Sequence, residues 1–301
     1  MTTLLTGATG LVGSTISADY RLKGKQKLDL TDWAATYRYF KEIRPSAVIH
    51  AASRVGGLGA NMKYMAEFYH DNILINTNVL EAARRTGVTK VVSFLSTCIF
   101  PDAADYPLTE DQLHQGKPHD SNFGYAHAKR MLEVHSRAIA TQYGLNYTCI
   151  IPTNIYGPND NFNLESSHVL PALIHKCYLA KKDNTDLVVW GSGKPLREFI
   201  FSKDIGEITQ LILEHYEDTD PMILSTSEEI SIREAVETIA DVMGFEGTIL
   251  FDDTKPDGQF RKPTSNLRLR NFIPEYQFTP FREGVKQTVD WFVENYGSCR
   301  K

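Results

Sequence analysis

The chain has 301 residues, with 37 acidic against 32 basic side chains and a formal net charge of -5 at pH 7. Its length suggests one large or two unequal domains. The acidic balance, without any basic block, argues against nucleic acid or an anionic membrane as the main partner. No apolar run reaches the roughly 18 residues that a membrane span needs. The four scattered cysteines and nine histidines show no metal-binding spacing, and the first residues are typical of a strand and turn rather than a signal peptide, so we expect a cytoplasmic protein without metal.

A glycine-rich turn follows the first predicted strand. The sequence TGATGLVG occupies residues 6–13, and a helix is predicted to start at Ser14. Gly7, Gly10 and Gly13 have the spacing that lets backbone approach a pyrophosphate, whose charge then lies at a helix N-terminus. Because the turn stands between strand and helix, it predicts dinucleotide binding rather than a purely structural turn.

The segment after this turn is basic. In folds that bind a ribose 2′-hydroxyl, the second strand carries an acidic residue. Here no acidic residue stands among the cations, which lie between Asp19 and Asp29. The cations are Arg21, Lys23, Lys25 and Lys27. They favour a 2′-phosphate, and hence NADP over NAD, with a solvated basic hairpin as the alternative. Asp29 and Leu30 then fall where an adenine edge would lie.

Strands and helices alternate through the first half of the chain. The predicted elements are a helix to about residue 42, a strand at 47–50, a long helix at 62–86, and strands at 91–95 and 147–151. This alternation predicts an α/β fold with a Rossmann-type doubly wound parallel sheet, which binds ligands outside the carboxyl ends of its strands. His50, at the end of an apolar strand, is predicted to pack rather than to catalyse.

The sequence changes character after Pro152. Residues 156–162 are rich in turn formers and are predicted to be loop. The later predicted elements are helices at 168–181, 204–216, 231–243 and 281–296, and strands at 187–190, 222–225 and 248–251. We therefore expect residues 1–153 and 199–226 to form the Rossmann domain. Residues 154–198 and 227–301 would form a smaller α/β substrate lobe.

A tyrosine and a lysine lie one helical turn apart in FGYAHAK at residues 123–129. Tyr125 and Lys129 would share a helix face, and an ammonium beside a phenol favours the phenolate. From these residues alone, an exposed tyrosine with an unrelated lysine is the alternative. Ser96, at the carboxyl end of a predicted strand, would join them beside a nicotinamide ring, where both hydroxyls donate to a carbonyl oxygen.

The glycine turn, the strand-end serine and the Tyr-x-x-x-Lys pair resemble the extended short-chain dehydrogenase/reductases, and the resemblance covers nearly the whole chain. Four further motifs are similar to those of the GDP-L-fucose synthases. They are LSTCIFP at 95–101, PTNIYGPNDNF at 152–162, SHVLPAL at 167–173 and KPDG at 255–258. The resemblance implies epimerisation at C3 and C5 of GDP-4-keto-6-deoxy-D-mannose, followed by NADPH-dependent reduction of the C4 ketone.

The resemblance also implies roles for two residues that would otherwise be unremarkable. By residue type, Cys98 would be a buried apolar side chain and His168 a surface histidine. In this family the matching cysteine is the base, and the matching histidine is the acid that reprotonates the opposite face. Lys129 or a protonated His168 is expected to lower the pKa of Cys98.

Two sets of binding residues follow from the same resemblance. The set expected to bind NADP(H) is Gly7, Thr9, Gly10, Leu11, Val12, Gly13, Lys25, Asp29, Leu30, Ala51, Ala52, Ser53, Tyr125, Lys129, Pro152, Asn154, Ile155 and His168. The set expected to bind the GDP-sugar is Val55, Gly56, Ser96, Asn154, Lys176, Trp190, Arg197 and Lys262. The three cations Lys176, Arg197 and Lys262 would hold the diphosphate or nearby groups, and Trp190 would stack or pack beside the nucleotide.

Two further expectations concern chain length and assembly. The segment between the glycine turn and Asp29 is short for the family, so the first helix or the second strand must be trimmed. Which cation binds the 2′-phosphate stays open for that reason. The resemblance implies a homodimer in which helices at 62–86 and 124–143 form a four-helix bundle, and both segments carry wide apolar stripes.

The alternatives are a nucleotide-sugar dehydratase or 4-epimerase on the same fold, or a catalytically silent NADP sensor. Dehydratases of this superfamily carry an acidic pair where Thr97 and Cys98 stand here, so elimination would lack its acid and base. A 4-epimerase would not consume NADPH in proportion to substrate. A sensor would not need the complete set of reactive side chains.

Overall fold

The computed structural model describes residues 1–255 and 257–301, so Pro256 of the KPDG motif lies outside the described residues. A six-stranded sheet is its centre, with the order β2-β1-β3-β4-β5-β9 and every neighbouring pair parallel. The strands are β1 (Thr3–Thr6), β2 (Tyr20–Leu22), β3 (Ala47–His50), β4 (Lys90–Phe94), β5 (Asn146–Pro152) and β9 (Met222–Leu224). The predicted doubly wound parallel sheet is confirmed. Its strand order reverses between β1 and β3, which is where such sheets bind ligands.

Helices cover both faces of this sheet. All residues of β1, β3 and β4 are buried, as expected for parallel strands between two helical layers. One face packs against α1 (Trp33–Ile43), α3 (Met65–Arg85) and α4 (Phe123–Tyr143), and the other against α6 (Ser202–His215) and α8 (Leu267–Phe272). No helix in the described part of the chain combines the length and apolarity needed to cross a bilayer.

A second hydrophobic core lies outside the six-stranded sheet. Its strands are β6 (Asn154–Tyr156), β8 (Leu196–Phe201) and β10 (Glu229–Ser231) in one sheet, and β7 (Leu187–Trp190) with β11 (Ile249–Asp252) in another. Helices α5 (Val169–Asp183), α7 (Ile232–Met243) and α9 (Phe281–Glu294) close it. Phe199 and Phe201 pack into this core, whereas Ile200 packs against the first sheet, because successive side chains of a strand point to opposite faces.

The structure differs from the sequence expectation in three elements. No α-helix starts at Ser14, because the chain must reach β2 by Tyr20, and only a 3-10 turn forms at Gly13–Thr15. Of the two expected alternatives, a trimmed first helix or a trimmed second strand, the structure shows the trimmed helix. The short strand β6, which forms by pairing with β8, was not predicted, and it ends at Tyr156, the first residue of the predicted loop. The long helix predicted at 62–86 is divided at Tyr64 into α2 (Leu58–Lys63) and α3.

Candidate active site

The glycine turn lies at the carboxyl end of β1, against the first residues after β3. Gly7 has φ +73°, and a Cβ there would lie 2.7 Å from the backbone of Ala51 and Ala52. A Cβ on Gly13 would overlap the carbonyl oxygen of Gly7. Glycine is therefore required at both positions, while Thr9 in the middle of the turn is exposed. A closely packed turn with open backbone on its outer side fits a dinucleotide pyrophosphate.

Arg21 of β2 holds this turn from the edge of the sheet. Its guanidinium donates to the carbonyl oxygens of Ala8 at 3.2 Å and Gly13 at 2.9 Å, and also to that of Ile16. A full helix would satisfy such carbonyls with its own N–H groups, and here a side chain supplies the donors instead. The expectation that the pyrophosphate charge lies at a helix N-terminus is therefore wrong for this chain.

The basic segment is only partly available to a 2′-phosphate. Lys25 forms an ion pair with Asp29, with Nζ 3.0 Å from Oδ2. Burial works against ionisation of Asp29, but hydrogen bonds from Thr31 and the pair with Lys25 hold the pKa of Asp29 below its usual range. Leu30 is buried in the core and its carbonyl accepts from Asn78 at 2.8 Å. The Leu30 side chain is thus not presented to an adenine ring, because it packs into the core instead.

Ser96, Cys98 and Tyr125 come together at the carboxyl end of β4. The Ser96 hydroxyl caps the 3-10 turn Thr97–Ile99 and accepts from the Cys98 N–H at 3.4 Å. Tyr125 lies in the first turn of α4, edge-to-face with Phe68 at a ring separation of 6.4 Å. A charge on the Cys98 sulfur would raise the pKa of Tyr125, so thiol and phenol share one site. All three predicted residues are partly accessible to solvent.

The pKa of Tyr125 is raised, and not lowered as its neighbour Lys129 led us to expect. Lys129 is buried, its Nζ donates to the carbonyl of Phe94 at 2.7 Å, and it lies 5.9 Å from the centre of the Tyr125 ring. Burial raises the pKa of Tyr125, a Cys98 thiolate raises it further, and the nearby Ser53 hydroxyl partly offsets the rise. Burial also lowers the pKa of Lys129, to about 8. Tyr125 is a neutral phenol near pH 7, which is the form that donates a proton.

The proton affinity of Cys98 reflects opposing effects. Burial raises the pKa of the thiol, while a hydrogen bond with Ser96 and the positive charges of Lys262 and Lys129 act to lower it. Lys262, expected at the diphosphate, donates from Nζ to the carbonyl of Thr97 at 2.9 Å. Lys129 was expected to act on this thiol and does, but Lys262 acts more strongly.

His168 lies beside the loop that follows β3. It precedes α5 and its side chain is exposed. The backbone before it binds the loop after β3, where the Gly57 N–H donates to the Ser166 carbonyl at 2.8 Å, and that loop also carries Ser53, which faces Tyr125. Burial lowers the pKa of His168 although its side chain keeps accessible surface. The ring is neutral near pH 7, so a protonated His168 does not supply the field expected at Cys98.

Two of the predicted substrate cations lie near each other. Burial lowers the pKa of both Lys262 and Arg197, and the charge of Arg197 lowers the pKa of Lys262 further. The Trp190 side chain is 65% exposed. Lys176 Nζ lies 4.6 Å and Lys255 Nζ 5.9 Å from its ring centre. Trp190 and Lys176 also line one open pocket on the surface, so an exposed aromatic face and a cation lie together there.

The other predicted contact residues have local hydrogen-bond and packing partners. The Asn154 amide donates to the carbonyl of Glu198 at 2.8 Å. Val55 is exposed, and Gly56 packs so closely on Phe68 that a Cβ would lie 3.0 Å from that ring. Ile155 packs at the edge of the first sheet's core.

His50 is a packed residue, as predicted. Its ring is fully buried, with Nδ1 2.9 Å from the Thr6 hydroxyl and Nε2 3.1 Å from the Asn76 amide oxygen. Burial lowers the pKa of His50 to about 3, with the Lys129 charge contributing, so the ring stays neutral. It links β1 and β3 to α3 directly beneath the glycine turn.

Arg130 is a polar residue of the site that the sequence analysis missed. It is 6% exposed. Its Nε donates to the carbonyl of Ile99 and its Nη1 to that of Gly116, both at 2.6 Å. In the sequence, only its position directly after Lys129 could have indicated that Arg130 belongs to the site. A cation on a buried helix face is unusual.

Comparison with known proteins agrees with this architecture. Residues 3–224 match the NAD dependent epimerase/dehydratase family. The chain therefore belongs to the NAD dependent epimerase/dehydratase family. Within it, the chain is similar over its whole length to GDP-L-fucose synthases. The one from Dictyostelium discoideum is 47% identical over 312 residues, covering 100% of this chain and 98% of the relative. The one from Escherichia coli is 36% identical over 318 residues, covering 98% of each.

A solved structure is similar to the same extent. The crystal structure of a GDP-L-fucose synthetase from Naegleria fowleri bound to NADP has a TM-score of 0.95 and 43% sequence identity. The match covers 100% of this chain and 95% of that one. The fold described above is thus that of a solved member of the group.

Proposed function

We propose that this chain converts GDP-4-keto-6-deoxy-D-mannose to GDP-L-fucose. It epimerises C3 and C5 and then reduces the C4 ketone with NADPH. The observation that carries the proposal is the convergence of Ser96, Cys98 and Tyr125 at one strand end. The proposal draws further support from full-length relatives named GDP-L-fucose synthase.

Proton removal is assigned to the Cys98 thiolate. The hydrogens at C3 and C5 lie beside the C4 ketone, so each carbon acid ionises to an enolate. The thiolate takes the proton as the C–H electron pair moves towards the carbonyl oxygen. His168 is accessible to solvent and is the proposed acid for the opposite face. It donates as the imidazolium, and because burial lowers its pKa, this form is the minor one near pH 7 and increases as the pH falls.

The oxygen of the enolate is assigned to the hydroxyls of Ser96 and Tyr125. Both groups are donors, and the raised pKa of Tyr125 keeps its proton in place. The same two donors then serve the reduction, because negative charge returns to this oxygen when C4 is reduced. One preorganised site can stabilise both steps.

NADP(H) is the proposed cofactor. The fit rests on the glycine turn, where Cβ atoms at Gly7 and Gly13 would meet backbone, and on the basic segment at Lys23, Lys25 and Lys27. The bound cofactor supplies the hydride for C4. The chain's own residues hold it at the carboxyl ends of β1 and β3 and aim Tyr125 at the substrate oxygen.

Replacing Arg21 with methionine should weaken NADPH binding about tenfold. The guanidinium orders the glycine turn through three carbonyls. Hydrogen bonds from a charged group contribute ~1.5–3 kcal/mol, and without them NADPH must order the turn when it binds. A loss of ~1.4 kcal/mol in binding free energy corresponds to a tenfold weaker affinity. NADPH fluorescence titration measures the effect. Arg38→Met, which removes an exposed cation from α1, should leave affinity unchanged, and equal affinities for all three proteins would remove the assigned role of Arg21.

The GDP part of the substrate is assigned to the second core. Lys262 and Arg197 would bind the diphosphate, and Trp190 with Lys176 would hold the nucleoside end. In this proposal residues 1–153 and 199–226 form the cofactor domain, and residues 154–198 and 227–301 form the substrate lobe. We also place the enzyme in the cytoplasm, since its cysteines are free thiols.

One assay tests the proposed function. The protein, NADPH and GDP-4-keto-6-deoxy-D-mannose should give NADPH oxidation in a one-to-one ratio with substrate, and the product should be GDP-L-fucose by NMR. Catalytic rather than stoichiometric use of the nucleotide would indicate a 4-epimerase instead. No oxidation with this substrate would contradict the proposal.

We propose that the enzyme is a homodimer in which α3 and α4 form a four-helix bundle with the same helices of a second copy. Apolar side chains on these helices are exposed, including Tyr69, Phe123, Met131 and Val134. The first three line an open groove together with His127. Such a surface is suited to a helix partner rather than to water.

Met131→Glu should convert this dimer to a monomer. A carboxylate in an apolar helix interface costs several kcal/mol unless it is paired, so the dissociation constant should rise by at least about 100-fold. Sedimentation velocity measures the change. Leu267→Glu places the same charge at an exposed residue on α8 and should leave the dimer intact. A wild-type protein that sediments as a monomer would contradict the assembly.

A further inference from the structure

The backbone on both sides of Cys98 is held by positively charged side chains. The carbonyl of Thr97 accepts from Lys262 Nζ at 2.9 Å, and the carbonyl of Ile99 accepts from Arg130 Nε at 2.6 Å. Together Thr97–Ile99 make up the whole 3-10 turn that presents the thiol. The turn is thus fixed at each end, by Lys262 from the proposed substrate lobe and by Arg130 from α4.

Neither cation is an ordinary surface group. Arg130 is 6% exposed, and its Nη2 is buried with no hydrogen-bond partner among the described residues. Lys262 is only partly exposed, and burial lowers its pKa. Burying a guanidinium with an unused N–H costs free energy. A negative charge forming at Cys98, between the two carbonyls, would offset that cost.

We propose that Lys262 and Arg130 form a cationic bracket that fixes the Cys98 turn and stabilises the thiolate that removes the substrate proton. The bracket rests on the proposed function, in which Cys98 is the base. Cys98 is the reacting group, and both cations are positioning residues that act through it. The thiolate lone pair forms the S–H bond as the C–H bond breaks, and the released pair becomes the enolate held by Ser96 and Tyr125.

Several other groups set the electrostatics around the bracket. On α4, Tyr125 stays neutral and Lys129 adds a further positive charge towards the thiol. On the strand-end turn, the Ser96 hydroxyl hydrogen-bonds with the thiol. Around Lys262, Asp102 favours its charged form and Arg197 opposes it. Burial of the thiol opposes the thiolate, so removing one cation should make the thiol a weaker acid.

The test is a titration of the thiol in the substrate-free protein. Iodoacetamide alkylation of Cys98, followed by mass spectrometry over a range of pH, gives a midpoint that is independent of the sugar reaction. The background is Cys299→Ser, since Cys149 and Cys177 are buried. Lys262→Met should move the midpoint upward by about one pH unit, a tenfold loss of thiolate below the midpoint. Lys262→Arg should restore most of it.

Arg130 needs a second variant because it also holds the loop at Gly116. Arg130→Met should raise the alkylation midpoint, and Arg130→Lys, which keeps the charge, should stay close to wild type, with melting temperatures measured for both. Matched controls are Lys182→Met and Arg38→Met, at exposed positions on α5 and α1, and neither should move the midpoint.

The outcomes separate the bracket from the proposed function. An unchanged midpoint in Lys262→Met, with Cys98→Ser still blocking solvent deuterium entry, would overturn the bracket and leave the function standing. Normal deuterium entry in Cys98→Ser would instead overturn the role of Cys98 as base. The bracket is supported if the midpoint and the pH profile of deuterium entry move upward together in Lys262→Met.

Discussion

Cys98→Ser should lower solvent deuterium entry at C3 or C5 of GDP-4-keto-6-deoxy-D-mannose by about 10²-fold or more, the lower end of the range for loss of a general base. A serine hydroxyl is a far weaker acid than a thiol, so the cations that stabilise a thiolate cannot produce a useful alkoxide at neutral pH. Incubation in D₂O without NADPH, followed by proton NMR, isolates this step from reduction.

Cys299→Ser is the matched control for this variant. Cys299 is a partly exposed thiol near the C-terminus, whose sulfur lies 3.7 Å from the Tyr296 carbonyl, and its replacement should leave exchange unchanged. Wild-type exchange in Cys98→Ser would mean that another group removes the proton. The motif at residues 95–101 would then reflect a shared local structure and not a shared catalytic base. Exchange lost equally in both variants would point to unfolding, which circular dichroism detects.

The sheet and the location of the site were predictable because both follow from local patterns. Buried parallel strands read as apolar runs, and their carboxyl ends meet at one edge, so Ser96 after β4 and the glycine turn after β1 had to lie on the same side. Tyr125 joined them because its helix starts at that edge. The order and spacing of these elements along the chain were therefore enough to predict that Ser96, Tyr125 and the glycine turn lie at one edge of the sheet.

The electrostatics were not predictable because they depend on burial. Sequence spacing placed Lys129 beside Tyr125 and implied a lowered phenol pKa, but desolvation has the opposite sign and is larger. The Lys262 contact joins residues 165 positions apart, and no local pattern indicates such a pairing. The short segment after the glycine turn did predict that the first helix or the second strand is trimmed. That the Arg21 guanidinium replaces hydrogen bonds of the missing helix follows only from the folded structure.

Tyr125→Phe should lower the rate of C4 reduction by about 10²–10³-fold, because the proton donor to the ketone oxygen and one of two hydrogen bonds to its developing charge are lost together. Deuterium entry at C3 or C5 should fall less, since Ser96 still donates to the enolate oxygen. NADPH oxidation and NMR exchange, measured on the same preparation, give the two rates separately. Because burial raises the pKa of Tyr125, wild-type reduction should not decline through phenol ionisation in mildly alkaline buffer.

Tyr143→Phe provides the control on the same helix, since Tyr143 is the last residue of α4 and is 48% exposed. It should reduce substrate at the wild-type rate. The decisive quantity is the ratio of exchange to reduction in Tyr125→Phe, which must rise if the phenol donates to the ketone during reduction. An equal loss of both rates would mean that Tyr125 only shapes the cleft against Phe68, because a shaping residue has no reason to distinguish an enolate from an alkoxide. If Tyr125→Phe reduced the ketone at the wild-type rate, Tyr125 would not be the proton donor. The donor would then be Ser96, whose hydroxyl lies at the same strand end.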